Sequence, residues 1–440
     1  MKLHKVGALA AVSVLAFAAC STTGGSSAPS AAASAGESPA ASKGTLKLGV
    51  TLPLSGGAAA DGQPQLKAAQ LAVDQANEKG GIGGYKLEIL PLDHAVNGKF
   101  NEQQGAQDMQ TFVSDPAVIG LLGPWNSSVA KVQIPIGNDA GLLQCSPGNT
   151  AESLTKPEFG ALDYRKNFPD RINYIRVAAT DDIQGPAMAT YAYDKLGLRN
   201  ILIVDDVTTF GKGVADNFQK KWEALGGKVA DRVGAGPDTT DFNGIITAAK
   251  TKNPDSVYYG GVVTSGAGLL LKQIRQQGMN IPFTGPDGIV NGPGDAEGSL
   301  IGIAGKENAA GSYGTLAAIG DFPGRAEFEV AFAERFKNDA DFKTAGSYSG
   351  PAHACATIVF KSLEEFLKAN PDADLAAIRE GVRAYAVDTS HSFETVLGTE
   401  SFDKNGDTAV PIISYFTVDP AAKNGVGDWV FKEQGTFGAQ

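Results

Sequence analysis

From residue 46 onward the chain alternates short apolar runs with amphipathic ones, and it goes through this rhythm twice. In the first series, strand patterns occupy 46–52, 86–92 and 118–122 and begin again at Leu142, with helical patterns over 64–79, 100–113 and from Ser127. The 64–79 segment sets Leu66, Ala69, Val73 and Ala76 on one face and stops at Gly80-Gly81, a pair suited to the left-handed exit of a helix. Asp115-Pro116 closes the next helix. Strand, helix and strand in strict succession demand right-handed crossovers and therefore a parallel sheet.

The second series opens at Asp181. Helical patterns cover 184–195, 211–225, 242–250 and 266–277, and strands are predicted at 200–204, 228–233, 256–259 and 282–285, before the turn Pro286-Asp287-Gly288. Helices over 326–338 and 352–368 and a late strand over 414–418 follow. The expectation is an α/β protein of two doubly wound parallel-sheet lobes, between which the chain crosses more than once. Two such lobes leave a cleft where their strand ends meet. Interfaces of this kind are preferred ligand sites, and a hinge would let the cleft close.

One stretch concentrates the candidate chemistry. The buried-looking strand 118–122 ends in Gly123-Pro124-Trp125-Asn126-Ser127, and the following strand ends in Ser146-Pro147-Gly148-Asn149-Thr150. Carboxyl ends of neighbouring parallel strands are where open α/β sheets hold ligands. The free N–H groups of a helix start, with the hydroxyls of Ser127 and Thr150, make a seat for a small anion. Ser127 as a simple N-cap and Pro147-Gly148 as a simple turn is the plainer alternative.

The chain begins with Lys2 and Lys5, an apolar run over 6–19, and Phe17-Ala18-Ala19-Cys20. That pattern reads as a signal peptide, 1–19, and resembles the lipobox of bacterial lipoproteins, with Phe17 where Leu is usual. Residues 20–44 are nearly all small or polar, too poor in apolar surface to fold, and read as a tether on a lipid-modified Cys20. The net charge of -11 argues against nucleic acid as a partner. Of three cysteines only Cys145 and Cys355 remain beyond Cys20. A single possible pair is no disulfide framework, and two buried free thiols are expected. His94, His353 and His391 are isolated, no Gly-x-Ser-x-Gly elbow or phosphate loop occurs, and Asp403-Lys404-Asn405-Gly406-Asp407 reads as a turn. No catalytic constellation, metal site or cofactor is expected.

Over nearly all of 45–418 the chain resembles the bacterial leucine/isoleucine/valine-binding proteins, the branched-chain amino acid receptors of ABC transporters. The resemblance rests on Pro53-Leu54-Ser55-Gly56, Asn77-Glu78-Lys79-Gly80-Gly81-Ile82, Ser146-Pro147, Asp181 with Gln184-Gly185-Pro186, Phe210-Gly211, Val257-Tyr258-Tyr259-Gly260-Gly261, Gly285-Pro286-Asp287-Gly288, Gly398 and Phe402-Asp403-Lys404-Asn405-Gly406-Asp407. It implies a type I periplasmic-binding-protein fold with a three-crossover hinge. One lobe would come from 45–180 plus 314–397, the other from 181–313 plus 398–440. It also implies a small amino acid, branched-chain or otherwise apolar, as ligand, ABC permease subunits as partners, and a monomeric protein exported and anchored to membrane lipid through Cys20.

By position, the resemblance gives Ser127 and Thr150 the ligand's carboxylate, with backbone contacts from Gly148 and Asn149. Asp181 and Asp287 would take the ammonium, Asp287 standing where Glu is common. A zwitterion in a closed cleft needs both charges matched, because unpaired buried charge is costly. Phe210 and Val262 replace tyrosines of the family, and Ala59, Ala60 and Asp61 replace a common aromatic. Trp125 would either supply a new wall or pack in the core. Val96 and Asn126 occupy the positions of a frequent family disulfide, and 151–173 reads as a long surface loop near the cleft. A ligand without an ammonium, such as an amide, urea or aromatic acid, would leave Asp181 and Asp287 without a role. A sensor partnering a separate signalling chain is the other alternative.

Overall fold

The computed structural model describes residues 43–291, 294 and 296–437, and Ser42–Gln440 forms one compact unit. The leader, the tether up to residue 42 and Cys20 lie outside the described residues.

The first lobe is built on a parallel sheet of β1 (Gly44–Leu52), β2 (Tyr85–Asp93), β3 (Val118–Leu122), β4 (Gln144–Ser146) and β5 (Tyr174–Arg176) in the spatial order β2-β1-β3-β4-β5. Every residue of β3 is buried, as expected of a central strand covered on both faces. The connecting helices are α1 (Ala59–Glu78), α2 (Glu102–Ser114) and α3 (Ser127–Ala140).

After β5 the chain passes to α4 (Asp181–Thr190) and a second sheet. Its strands are β6 (Asn200–Asp205), β7 (Lys228–Gly234), β8 (Ser256–Gly260), β9 (Phe283–Gly285) and β10 (Ser312–Leu316). Between them run α5 (Thr209–Ala224), α6 (Asn243–Lys250) and α7 (Ala267–Gln276). The order β7-β6-β8-β9-β10 repeats the winding of the first sheet. In both sheets the strand order reverses beside the first strand, and ligands gather at such switch points.

From β10 the chain returns to the first lobe as α8 (Arg325–Phe336), α9 (Ser349–Ala369) and α10 (Leu375–Ala386). There α9 packs on α1, β3 and β4, and α10 on β3. A small hairpin, Phe393–Thr395 with Gly398–Glu400, leads to a third passage. The chain then adds β11 (Ile412–Asp419) and β12 (Asp428–Thr436) antiparallel at the β10 edge. The sequence pattern identifies β11 but neither β10 nor β12. β10 is short and carries a central glycine, and β12 is largely exposed, so neither shows an apolar run.

Two sequence expectations are corrected. Cys145 and Cys355 are not free thiols: they are disulfide-bonded, with Cα atoms 5.4 Å apart across 210 residues of sequence. The packing of α9 over β4, which no local pattern reveals, brings them together. Helix α4 also begins at Asp181 rather than near Gln184, behind Thr180. The long 151–173 loop carries three short 3-10 turns, Glu152–Leu154, Pro157–Phe159 and Ala161–Tyr164.

Candidate functional site

The site grows from the strand ends of the first lobe. β3 runs into Gly123, whose φ of +106° and close approach to the Thr51 carbonyl leave no space for a side chain. Asn126, not Ser127, caps α3: its Oδ1 accepts from the Ser128 N–H at 3.0 Å and the Ser128 hydroxyl at 2.6 Å. Ser127 is thereby released from capping. It occupies the first helical position, and its Oγ, 3.4 Å from the Ala151 N–H, is buried.

At the end of β4, Ser146 Oγ donates to the Pro124 carbonyl at 2.7 Å and accepts from the Asn149 N–H at 2.9 Å and the Gly148 N–H at 3.3 Å. The backbone groups assigned to a ligand at Gly148 and Asn149 are thus already bonded within the turn. Trp125 leans over this turn. A Cβ on Gly148 would stand 2.5 Å from Trp125 Cδ1 and 2.7 Å from its Nε1, so glycine is required by contact. Trp125 Nε1 has no partner among the described residues.

Arg176, fully buried, holds the loop from behind. Its Nη1 donates to the Ala151 carbonyl at 2.8 Å and the Asn149 carbonyl at 3.3 Å, and its Nε to Asp407 at 2.6 Å. Asp407 lies in the turn before β11, so one guanidinium ties the loop to the connection between lobes. The local sequence of Arg176 gives no sign of this role.

The second lobe contributes carboxylates. Asp287 follows β9, and its two oxygens accept from Gln184 Nε2 and from Tyr348 Oη, each at 2.6 Å. Tyr348 belongs to the first lobe, so this bond spans the cleft, as does that of Ser347 to the Val290 carbonyl at 3.1 Å. The cleft is therefore closed. Burial pushes the Asp287 carboxyl up to about 7, against the bond from Tyr348. Asp181 is completely buried, and among the described residues neither oxygen meets a donor in hydrogen-bonding geometry. Its carboxyl is held well above the ordinary range by burial first, then by the charges of Glu152 and Asp287.

Trp125, Ser127, Gly148, Thr150, Phe210, Val262 and Asp287 meet, with Asn126, around one narrow chamber. Trp125 is therefore a wall of the chamber rather than only core. Asn149 and Asp181 do not line it. Asn149 is held behind by Tyr174 Oη, and Asp181 donates its N–H to the Thr150 carbonyl at 2.8 Å. Beyond Trp125 a second narrow chamber includes Asp61, Gln65, Asn291, Ser347 and Tyr348. Of these, sequence reasoning singles out only Asp61, which sits in the first turn of α1. These side chains come from distant segments, and no short-range signal joins them.

Among the described residues, no cluster of three His, Cys, Asp or Glu side chains is placed to hold a metal. No helix among them is long and apolar enough to cross a membrane.

Comparison with known proteins gives a consistent picture. A leucine-, isoleucine-, valine-, threonine- and alanine-binding protein of Pseudomonas aeruginosa is 29% identical over 363 residues, covering 82% of this chain and 87% of the relative. A Leu/Ile/Val-binding protein homolog of Brucella melitensis is 29% identical over 364 residues, covering 83% and 88%. Among solved structures, the isoleucine complex of a branched-chain amino acid transporter substrate binding protein from Streptococcus pneumoniae matches with a TM-score of 0.71 at 22% identity, over 88% of this chain and 100% of that one. A solute binding protein of R. palustris in complex with 4-hydroxybenzoate matches with a TM-score of 0.70 at 19% identity, over 89% and 97%. These likenesses confirm the type I periplasmic-binding-protein fold, and the relatives are binding proteins rather than enzymes. The model of the periplasmic binding protein family matches residues 45–423, and with two wound lobes closing on a polar chamber the chain belongs to that family.

Proposed function

We propose that this protein is an extracytoplasmic substrate-binding lipoprotein that captures a small α-amino acid between its lobes and delivers it to an ABC importer. The observation that carries the reading is the chemical polarity of the first chamber. Ser127, Thr150 and the indole of Trp125 stand at the first-lobe end, and the buried carboxyl of Asp287 stands on the second-lobe side. A carboxylate suits the hydroxyls and N–H groups, and an ammonium suits Asp287 with Asp181 behind it. An ammonium also offsets the desolvation that drives both carboxyls upward. The names of the P. aeruginosa and B. melitensis relatives put branched-chain and other small amino acids first among ligands.

In this reading the first lobe receives the ligand, the second closes on it, and the closed face is recognised by membrane permease subunits. Cys20 carries the lipid, and 20–44 tethers the domain outside the membrane. A second reading has one observation in its favour. Asp287 is already satisfied by Gln184 and Tyr348, so a ligand without an ammonium, such as an aromatic acid, amide or urea, leaves it undisturbed.

Thermal unfolding of the refolded unit Ser42–Gln440 against L-amino acids, aromatic acids, urea and short amides separates the two. A ligand at a hundred times its dissociation constant adds ~2.7 kcal/mol. Stabilisation by amino acids that is lost in Ser127→Ala and Asp287→Asn supports the first reading. Stabilisation only by ligands lacking an ammonium overturns it.

A further inference from the structure

The second chamber differs from the first in the chemistry it presents. It draws on both lobes, with Asp61 and Gln65 on α1, Ser347 and Tyr348 before α9, and Asn291 from the second lobe. Gln65 Nε2 donates to the Asp61 carbonyl at 2.6 Å, which leaves Gln65 Oε1 without a partner among the described residues. Asn291 Nδ2 donates to the Gly298 carbonyl at 3.3 Å, which leaves Asn291 Oδ1 in the same condition. Gln65 is 1% exposed and Asn291 3%. Each amide thus has its nitrogen on a backbone carbonyl and keeps an oxygen over. The Asp61 carboxylate adds a third acceptor, and burial, together with the Asp287 charge, pushes its carboxyl up to about 7 against a hydrogen bond from Asn291.

Trp125 forms the partition between the chambers. Its Nε1 lies on the Gly148 side, so the donor of the partition faces the first chamber. The cleft is donor-rich at Ser127 and acceptor-rich at Gln65 and Asn291. Resting on the reading of the first chamber as an α-amino acid seat, we propose that the second chamber is its side-chain subsite, and that the ligand's short side chain ends in a hydrogen-bond donor, a hydroxyl or primary amide, received by Gln65 Oε1, Asn291 Oδ1 and Asp61. A hydrocarbon end would leave buried acceptors unpaired on closure, and sites built around a hydrogen bond reject the analogue that lacks it. Asn291 arrives only with the second lobe, so the side chain is read at closure.

Isosteric ligands test this directly. Calorimetric titration of refolded Ser42–Gln440 compares threonine with valine and asparagine with leucine, pairs alike in shape that differ in the donor. The donor-bearing member of each pair is expected to bind at least about tenfold tighter. Gln65→Met and Asn291→Leu should each shrink that ratio, whereas Ser127→Ala should weaken all ligands and leave the ratio unchanged. Valine and leucine binding as tightly as their partners, or more tightly, overturns the polar subsite while leaving the amino-acid cleft standing. A ratio that survives both subsite variants overturns the assignment to these residues. If no amino acid of any kind binds, the reading of the cleft falls and this inference falls with it.

Discussion

The buried carboxyl of Asp287 makes a quantitative prediction through Asp287→Asn. The replacement keeps both contacts: its amide oxygen still accepts from Gln184 Nε2, and its nitrogen can donate to Tyr348 Oη, an atom able to accept as well as donate. What the replacement removes is the proton equilibrium. Burial raises the Asp287 carboxyl from 3.8 to about 7, so between those values the folded protein holds a proton that the unfolded chain has released. The sign follows from linkage. The contribution of Asp287 to stability is complete below the lower value, falls as pH rises through the window, and is lost above about 7. At ~1.4 kcal/mol per unit, a rise from 3.8 to about 7 amounts to about 4 kcal/mol. This is a ceiling, because opening the cleft rehydrates the carboxylate and relieves the cost. Removing the charge also eases Asp61 and Asp181, both raised by it, which acts in the same direction. Urea unfolding of parent and variant between pH 4.5 and 8.5, without ligand, should show near-equal stability at the acid end. A gain for the variant should grow to a few kcal/mol at the alkaline end. The same variant should bind an amino acid some 10- to 100-fold more weakly, since a charge-assisted hydrogen bond contributes about 1.5–3 kcal/mol. A stability difference that stays flat with pH would refute the argument that closure buries Asp287 at a cost relieved by protonation.

Other predictions follow from the same geometry. The Cys145–Cys355 bond closes 210 residues, and chain-entropy reasoning gives such a cross-link about 5 kcal/mol; reduction, or Cys145→Ser with Cys355→Ser, should lower the unfolding midpoint markedly, and an unchanged midpoint would count against the bond. Arg176→Met strands the buried Asp407 carboxylate, at a cost of about 3–5 kcal/mol. It should also weaken ligand binding by freeing the 149–151 carbonyls, whereas Arg176→Met with Asp407→Leu should recover stability but not affinity. Gly148→Ala drives a methyl to 2.5 Å from Trp125 Cδ1, and should abolish ligand binding while circular dichroism stays native.

The local grammar of the chain explains which parts of the site are legible in it. Ser127, Gly148, Thr150, Phe210, Val262 and Asp287 all sit in turns or helix starts just after apolar strands, and strand ends in a parallel sheet share one rim whatever else the chain does. That rule points to the turns of Ser127 and Thr150; the family resemblance is what joins Asp287, 160 positions beyond Ser127, to them, and both line one chamber. The cap of α3 is not legible locally, because Asn126 and Ser127 are adjacent and both able to cap. Only backbone geometry chooses between them.

The sequence alone determined the two α/β series, the parallel direction of their strands, and the small polar turns where a ligand would sit. These are consequences of periodicity and turn chemistry, which act over a few residues. The tertiary structure decided what depends on meeting partners: the Cys145–Cys355 bond, the Arg176–Asp407 pair beneath the binding loop, the Tyr348–Asp287 bond across the cleft, and the acceptor-rich chamber of Asp61, Gln65 and Asn291. Burial and hydrogen bonding are properties of surroundings, and these surroundings are assembled by three passages of the chain between its lobes. No segment of sequence contains them by itself.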